Sequence, residues 1–431
     1  MTHRSLEGWL DFISAQHPSS IALGLDRVRD VADRLAIGQA KVTITVGGTN
    51  GKGSTCAMLE RVLLEAGYAV ALYTSPHIER YNERVRFRGE EASDSALVKA
   101  FEHVEKARGE VPLTYFEYGT LAALWHFEHV KAEAVILEVG LGGRLDAVNI
   151  VDADVACVVS VDLDHQAYLG NDVETIGFEK AGIFRAGRPA IFGDFDPPKR
   201  LVSHAEHLGA KLQILGRDFR YEAKPGQWDF IGRKGAKHGL PMPGLRGSWQ
   251  LKNASVALAA LDEVSDRLPL SLGEIKMGLT LAHIEGRLQV IPGRPTIILD
   301  VAHNPHAARS LASGLGDMGF AENTFAVFAM LADKDIAGVV DAMKGRIDRW
   351  YVSAAQADRA ASAEKVAGIL FARHLGDRTR MFATVASALE AARREAGPND
   401  RIVVFGSFFT VGGVLEHGTP RLGARHLSPG S

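Results

Sequence analysis

An α/β fold of two domains, each on a mainly parallel sheet, is what this sequence predicts, and three observations carry the prediction. Short apolar runs rich in Val, Ile and Ala alternate with amphipathic helical stretches along most of the 431 residues. That texture belongs to a sheet covered by helices on both faces. The chain is too long for one ordinary core. The alternation also breaks once, from Lys211 to Trp249, and then starts afresh.

The first series of expected strands is "KVTITVG" (41–47), "YAVALYTS" (68–75), "EAVILEVG" (133–140), "VACVVSVD" (155–162) and "RPAIFGD" (188–194). Helical patterns separate them, as at 54–66 and 95–107. Residues 211–249 turn to short, polar, Gly-containing pieces, read as small antiparallel strands or loops. A helix is expected from about Leu251 to Arg267. The second series is "TIILDVA" (296–302), "TFAVFAM" (324–330), "WYVSAA" (350–355), "RMFAT" (380–384) and "RIVVFGS" (401–407). The boundary is placed near Glu285, before the Gly/Pro-marked "GRLQVIPGRP". The expected domains are therefore 1–285 and 286–431, the second Rossmann-like. The closing "EHGTPRLGARHLSPGS" has little apolar content and is expected to fray.

Composition narrows the class of function. A formal net charge of −3 argues against a general polyanion binder, so no nucleic-acid partner is expected. No stretch approaches the roughly 20 apolar residues of a membrane span, and "MTHRSLEGWLDFISAQHP" lacks the pattern of a signal peptide. The cysteines, Cys56 and Cys157, fall in an expected helix and strand, which suits buried thiols in a reducing compartment. A cytoplasmic monomer acting on small molecules is the expectation.

One stretch carries chemistry on its face: "VTITVGGTNGKGST", 42–55. The common phosphate loop reads G-x-x-x-x-G-K-[ST], yet Val46 stands at the first glycine and Gly53 follows the lysine. A damaged nucleotide site, a structural turn and a phosphate loop of another pattern all need weighing. Glycines let backbone N–H groups approach an anion, and the following helix turns its positive end toward it. Lys52 adds a point charge for the β/γ-phosphates, while Ser54 or Thr55 offers a hydroxyl for Mg²⁺. Strand, glycine-dense turn and helix occurring together favour a nucleotide loop over a plain turn with a surface lysine.

The compact form G-T-N-G-K-G-S resembles the phosphate loop of the Mur ligase superfamily, one residue shorter than the common version. The opening domain is accordingly expected to be a phosphate-loop ATPase domain. Further stretches resemble the folate branch, the dihydrofolate synthase and folylpolyglutamate synthase enzymes. They are "YTSPHIERYNERVR", "TYFEYGTLAAL", "EVGLGGRLDAVNI", "VDLDHQAYLG", "FEKAGIFRAGRP", "ILDVAHNPHAA", "MLADKDIAGVV" and "VVFGSFFTVGGVL". Together they run from about Ser19 to Leu415. The "DVAHNP" and "GSFFTV" forms look bacterial, of the type that often carries both activities. Departures are Gly47 where alanine is common, Glu285 where proline usually precedes Gly-Arg, and Asn171–Asp172 where a threonine is usual.

The resemblance implies ATP-driven amide formation: a pterin-bearing carboxylate is phosphorylated, and the amino group of L-glutamate attacks the acyl phosphate. Carried over by position, Gly51, Lys52, Gly53 and Ser54 hold the triphosphate, and Ser75, Glu138, His165 and Lys180 hold Mg²⁺. Lys180 is implied to be carbamylated, which turns a cation into an anionic oxygen ligand; a plain lysine paired with Glu138 or a phosphate is the alternative. Asn253, Arg287 and Asp300 are implied to contact ATP, so that closure of two domains accompanies catalysis, with His303 a neighbour of the site. The pterin-binding segments are implied at Ile21, Ala22 and Leu23, at Thr114, Tyr115, Phe116 and Glu117, and at Leu145, Asp146 and Ala147. There Phe116 stacks on the ring and Asp146 accepts from its N–H groups; a core aromatic and a loop-holding carboxylate are the plainer readings. A monovalent cation requirement is left open. Within the ligases the rival is a folylpolyglutamate synthase alone, and from another class it is a phosphate-loop NTPase that works as a switch.

Overall fold

The computed structural model describes residues 4–17 and 22–416, and the contacts among them divide the chain into two units. One unit runs to Gly244 and resumes over Trp249–His283; the other contains Leu245–Ser248 and everything described from Ile284 onward. The chain thus crosses between units at Gly244, at Ser248 and at His283, where the sequence suggests a single passage near Glu285.

The first unit opens with α1 (Leu6–Ser14) and α2 (Asp26–Leu35). Its main sheet comprises β1 (Val42–Gly47), β2 (Val70–Tyr73), β3 (Val85–Phe87), β4 (Glu90–Glu91), β5 (Ala134–Glu138), β6 (Val155–Val158), β7 (Pro189–Phe192) and β8 (Lys211–Ile214). The spatial order is β4-β3-β2-β5-β1-β6-β7-β8. Pairings from β2 through β8 are parallel, and β3 and β4 add an antiparallel edge. Covering helices are α3 (Lys52–Glu65), α4 (Asp94–Arg108), α5 (Tyr115–His129), α6 (Gln166–Leu169), α7 (Val173–Ala181), α8 (Lys199–Leu208), α9 (Gln250–Val264) and α10 (Leu272–Leu281). All six residues of β1 are buried, as its unbroken apolar run demands of a central parallel strand. Trp9, Ile13, Val28 and Val31 bring α1 and α2 into the core that Phe101 of α4 and Tyr118 of α5 share.

Residues 211–214 lie within the stretch read as a polar insert, yet they form the sheet's parallel edge strand beside β7. Polar residues interrupt its apolar run: Lys211 is exposed at the strand's start, and Gln213 is buried with its Nε2 donating to Glu263 Oε1 (2.7 Å). The rest of that stretch is antiparallel, with β9 (Arg220–Lys224), β10 (Gln227–Gly232) and β11 (Gly235–Pro241) forming a small separate sheet.

The second unit holds β12 (Gln289–Ile291), β13 (Thr296–Asp300), β14 (Thr324–Phe328), β15 (Arg349–Val352), β16 (Thr379–Met381) and β17 (Arg401–Phe405). Their order is β12-β13-β17-β14-β15-β16, parallel except for β12. The helices α11 (Pro305–Asp317), α12 (Ile336–Met343), α13 (Ala363–Phe371), α14 (Val385–Glu395) and α15 (Phe408–Leu415) alternate with them. Every apolar run of the second series contains a strand, and β12 arises inside the segment that marks the boundary. Among the described residues, no helix is long and apolar enough to cross a membrane.

Candidate active site

The glycine-dense loop joins the end of β1 to the start of α3, where strand ends and a helix N-terminus meet. Its shape is held from β6's continuation. Thr49 N donates to Ser160 O (2.8 Å), Asn50 N donates to Ser160 Oγ (3.0 Å), and Ser160 Oγ donates to Asn50 O (3.0 Å). Thr49 Oγ1 both donates to Asp162 O (3.1 Å) and accepts from Asp162 N (3.0 Å). With its outline set by these bonds, the loop needs little reorganisation to meet an anion. Gly51 caps α3 with φ +86°, and Lys52 Nζ folds onto the loop carbonyls of Gly48 (3.1 Å) and Thr49 (3.3 Å). Gly53 and Ser54 are buried in the first turn of α3.

Asn253 belongs to this loop's surroundings. Its Nδ2 donates to Gln250 Oε1 (2.8 Å), and Gln250 Nε2 donates to Ser54 Oγ (3.4 Å), both residues being buried in α9. Ser160 and Gln250 carry no motif signal, so sequence reasoning passes over them.

Beside the loop stand the residues read as metal ligands. β5 runs parallel to β1 in a register that sets Glu138 opposite Val46. Its buried Oε2 accepts from Ser75 N (3.3 Å) and from the Thr74 hydroxyl. Lys180 on α7 is also buried. Burial first, and Lys52 next, hold its amine down to about 7, against the opposing pull of Asp164 and Asp146. His165 sits in the left-handed region at φ +51°, its N–H bonded to Asp164 Oδ1 (2.8 Å) and its Nε2 3.9 Å from Asp164 Oδ2. A non-glycine residue held there is costly and points to an over-determined site. The structure thus joins Ser75 to Glu138, and puts Lys52, Lys180, Asp146 and Asp164 within one electrostatic neighbourhood.

Among the described residues, no three His, Cys, Asp or Glu side chains converge as a metal site. The candidate set supplies one carboxylate, one imidazole, one hydroxyl and an amine whose neutral form is readily reached. It becomes an oxygen-rich set suited to Mg²⁺ only if Lys180 carries a carboxylate of its own.

The three segments read as pterin-binding are differently placed. Ile21 lies outside the described residues; Leu23 is exposed, and Ala22 O accepts from Arg27 Nη2 (2.7 Å). Arg27 continues to Glu117, with Nη2 to Oε1 at 2.6 Å and Nε to Oε2 at 3.3 Å. Glu117 closes a capping box with Thr114 at the start of α5. Arg27 therefore docks the 22–25 stretch onto the 114–117 segment, a link absent from the motifs. Tyr115 and Phe116 are half-buried, and Phe116 packs on Tyr73 with ring centroids 5.9 Å apart.

In the third segment Leu145 is half-buried and Ala147 buried. Asp146 caps the short helix Ala147–Ile150, its Oδ2 accepting from Leu141 N (2.8 Å) and its Oδ1 from Val148 N (3.1 Å). Burial raises it to about 6, opposed by these backbone N–H groups and Lys52. Each oxygen keeps a second lone pair, so loop-holding and ligand-accepting roles are chemically compatible.

Between the metal-side loop and α5 stands Arg84. Its Nε donates to His77 Nδ1 (2.8 Å), and its Cζ lies 5.4 Å and 5.5 Å from the rings of Tyr81 and Tyr115. Burial, then Arg84, pushes His77 down to about 4, so the imidazole is a neutral acceptor at physiological pH.

In the second unit, Asp300 ends β13 and each carboxylate oxygen accepts a backbone N–H: Leu288 on Oδ2 and Ala302 on Oδ1, both at 2.8 Å. Burial raises its pKa, and Arg287 opposes the rise. Arg287 lies over Phe408, its Cζ 5.1 Å from the ring centroid. His303 Nδ1 bonds Val301 O at 2.9 Å, a loop-anchoring contact.

Two family models match the chain: the Mur ligase middle domain over residues 46–261 and the Mur ligase glutamate ligase domain over 286–408. The dihydrofolate synthase/folylpolyglutamate synthase of Escherichia coli (strain K12) is 45% identical over 412 residues, covering 95% of each chain. The solved structure of Escherichia coli FolC in complex with DHPP and ADP superposes with a TM-score of 0.92 at 44% identity, over 96% of this chain and 97% of that one. The bifunctional folylpolyglutamate synthase/dihydrofolate synthase of Yersinia pestis, complexed with AMPPNP and Mn ion, gives a TM-score of 0.89 at 44% identity, over 96% and 98%.

Proposed function

The chain belongs to the bifunctional dihydrofolate synthase/folylpolyglutamate synthase family of Mur ligases, and from that premise we propose how its own residues carry out the reaction. It is an ATP-dependent ligase that joins L-glutamate to 7,8-dihydropteroate and to the γ-carboxylate of folates through an acyl phosphate. The observation that carries the reading is the placing of Lys52, at the mouth of the phosphate loop, in one electrostatic neighbourhood with buried Lys180 and Asp146.

We assign the triphosphate to the N–H groups of the loop and of the first turn of α3, with Gly51, Lys52, Gly53 and Ser54 as its contacts. The Lys52 ammonium exchanges its loop carbonyls for phosphate oxygens and offsets charge that builds in the transfer step. Asn253 keeps the loop's far wall, and from the second unit Arg287 is assigned to phosphate and Asp300 to the nucleoside. Lys180, with its pKa near 7, presents a neutral amine that attacks CO₂, loses a proton and becomes a carbamate. Ser75, Glu138, His165 and carbamylated Lys180 are the residues we assign to Mg²⁺, which when bound neutralises phosphate charge. Phe116 and Asp146 are assigned to the pterin, with the segments at 21–23, 114–117 and 145–147 as its walls. We place the enzyme in the cytoplasm as a monomer, in keeping with two free, buried cysteines.

The test is ADP release by purified protein with Mg-ATP and L-glutamate, comparing 7,8-dihydropteroate, tetrahydrofolate and no acceptor. Turnover with both acceptors is expected. Turnover with tetrahydrofolate alone would leave a polyglutamylating ligase, and release indifferent to either would favour a switch NTPase. Enzyme prepared free of bicarbonate that keeps full activity would remove the carbamate assignment.

A further inference from the structure

Arg84 is held on three sides and its charge is answered by no acid. Its backbone O accepts from Thr74 N (3.0 Å), its Nε is spent on His77 Nδ1 (2.8 Å), and its guanidinium lies against Tyr81 and Tyr115. Among the described residues it makes no ion pair, and its two Nη groups have no hydrogen-bond acceptor. The neighbouring carboxylate cannot serve: Glu83 accepts from the backbone N–H groups of Ile78 (2.7 Å), Glu79 (2.8 Å) and Arg80 (2.6 Å). A half-buried guanidinium fixed in this way, with its Nη pair unspent, has the geometry of a preorganised carboxylate fork.

Its position narrows the ligand. On one side is the loop Thr74–His77, whose Ser75 N touches Glu138; on the other is Tyr115, next to Phe116 at the start of α5. Tyr73, packed on Phe116, lies in the fields of both Arg84 and Asp146. Arg84 therefore stands between the residues assigned to the pterin and those assigned to the reacting end. A carboxylate taken by both Nη groups has its two oxygens spent on the guanidinium, so it is one that does not react. Dihydropteroate has a single carboxylate, which must react. A folate that already carries glutamate has another to spare, and so does incoming L-glutamate.

We infer that Arg84 is the receptor for a non-reacting substrate carboxylate, and so separates acceptors that already bear glutamate from the one that does not. The inference rests on the ligase reading above. The experiment measures steady-state constants of Arg84→Gln and Arg84→Lys for each substrate, beside nucleotide affinity by titration and thermal melting. With tetrahydrofolate as acceptor, KM in Arg84→Gln is expected to rise about ten- to hundredfold, with dihydropteroate KM and ATP affinity unchanged. Arg84→Lys should recover only part, since it keeps the charge and loses the fork. A KM rise confined to L-glutamate, with either acceptor, would overturn the separation of acceptors and move the receptor to the incoming amino acid. Unchanged KM values throughout, or an equal fall in kcat with every substrate, would overturn the inference while wild-type turnover left the ligase reading intact. Wild-type ADP release without any acceptor would sink the ligase reading first, and the inference with it.

Discussion

The side chain of Asn253 lies directly over the α-carbon of Gly51: a β-carbon built there would stand 2.5 Å from Asn253 Oδ1 and 2.8 Å from Val159 Cγ1. Gly51 also has φ +86°, where an L-side chain costs about 1–2 kcal/mol. Two constraints of different origin therefore demand glycine at the turn into α3. Gly51→Ala is expected to weaken ATP binding about tenfold or more. Adding Asn253→Ala should relieve the clash and leave the φ strain, so a fluorescent-nucleotide titration should show partial recovery. Full ATP affinity in the single variant would refute this account.

Gly140 bears the same relation to Phe116. A β-carbon there would come within 2.6 Å of Phe116 Cζ, so the ring rests on a bare backbone just beyond β5. Overpacking of this kind costs about 1–3 kcal/mol when the neighbour must move. Gly140→Ala is expected to raise KM for dihydropteroate while leaving ATP affinity alone. A change in ATP affinity of equal size would mean that the displacement spreads to the phosphate loop.

Arg27 and Glu117 form a two-point pair whose Glu117 side chain is 5% exposed and whose Arg27 side chain is 25% exposed. Removing the arginine leaves a buried carboxylate with the Thr114 N–H as its remaining partner (2.8 Å). Discounted for the arginine's exposure, Arg27→Ala should cost about 1–3 kcal/mol in urea unfolding. Because Arg27 also holds Ala22 O, dihydropteroate KM should rise as well. A double-mutant cycle with Glu117→Gln that shows no coupling would deny the pair its role.

His77 supplies a pH dependence with a definite sign. Its imidazole titrates near 4 in the folded protein, through burial and Arg84, against an ordinary value of 6.5 when unfolded. Between those values the unfolded chain binds the extra proton, so stability rises with pH over that window and is lost as pH falls through it. His77→Gln cannot titrate and should flatten the slope of unfolding free energy between pH 6.5 and 4 by up to one proton. Parallel slopes for variant and wild type would show that the folded imidazole takes up its proton normally.

How much was legible in advance followed the distance over which each interaction acts. Strands and helices could be read because burial periodicity is a property of a few neighbouring residues, and β1 and its glycine turn announce themselves within one stretch. The edge strand β8 escaped because Lys211 and Gln213 break its apolar run, and Gln213 is buried only because Glu263, far along the chain, accepts from its amide. The residues that shape the site around the loop escaped for another reason. Asn50 meets Ser160 across 110 residues, Gln250 meets Ser54 across 196, and Arg27 meets Glu117 across 90.

The sequence alone determined the class of fold, the phosphate loop and, through its ordered motifs, the family. Those depend on local backbone chemistry and on side chains adjacent in the chain. Only the tertiary structure decided that Lys180 is buried near Lys52 with its charge disfavoured, that Asp146 is pinned by two backbone N–H groups, and that Arg84 has its Nη pair unspent. A side chain's charge, its hydrogen bonds and the spare valence it offers a ligand depend on its surroundings in space, and the parallel crossovers gather those surroundings from strands far apart in the chain.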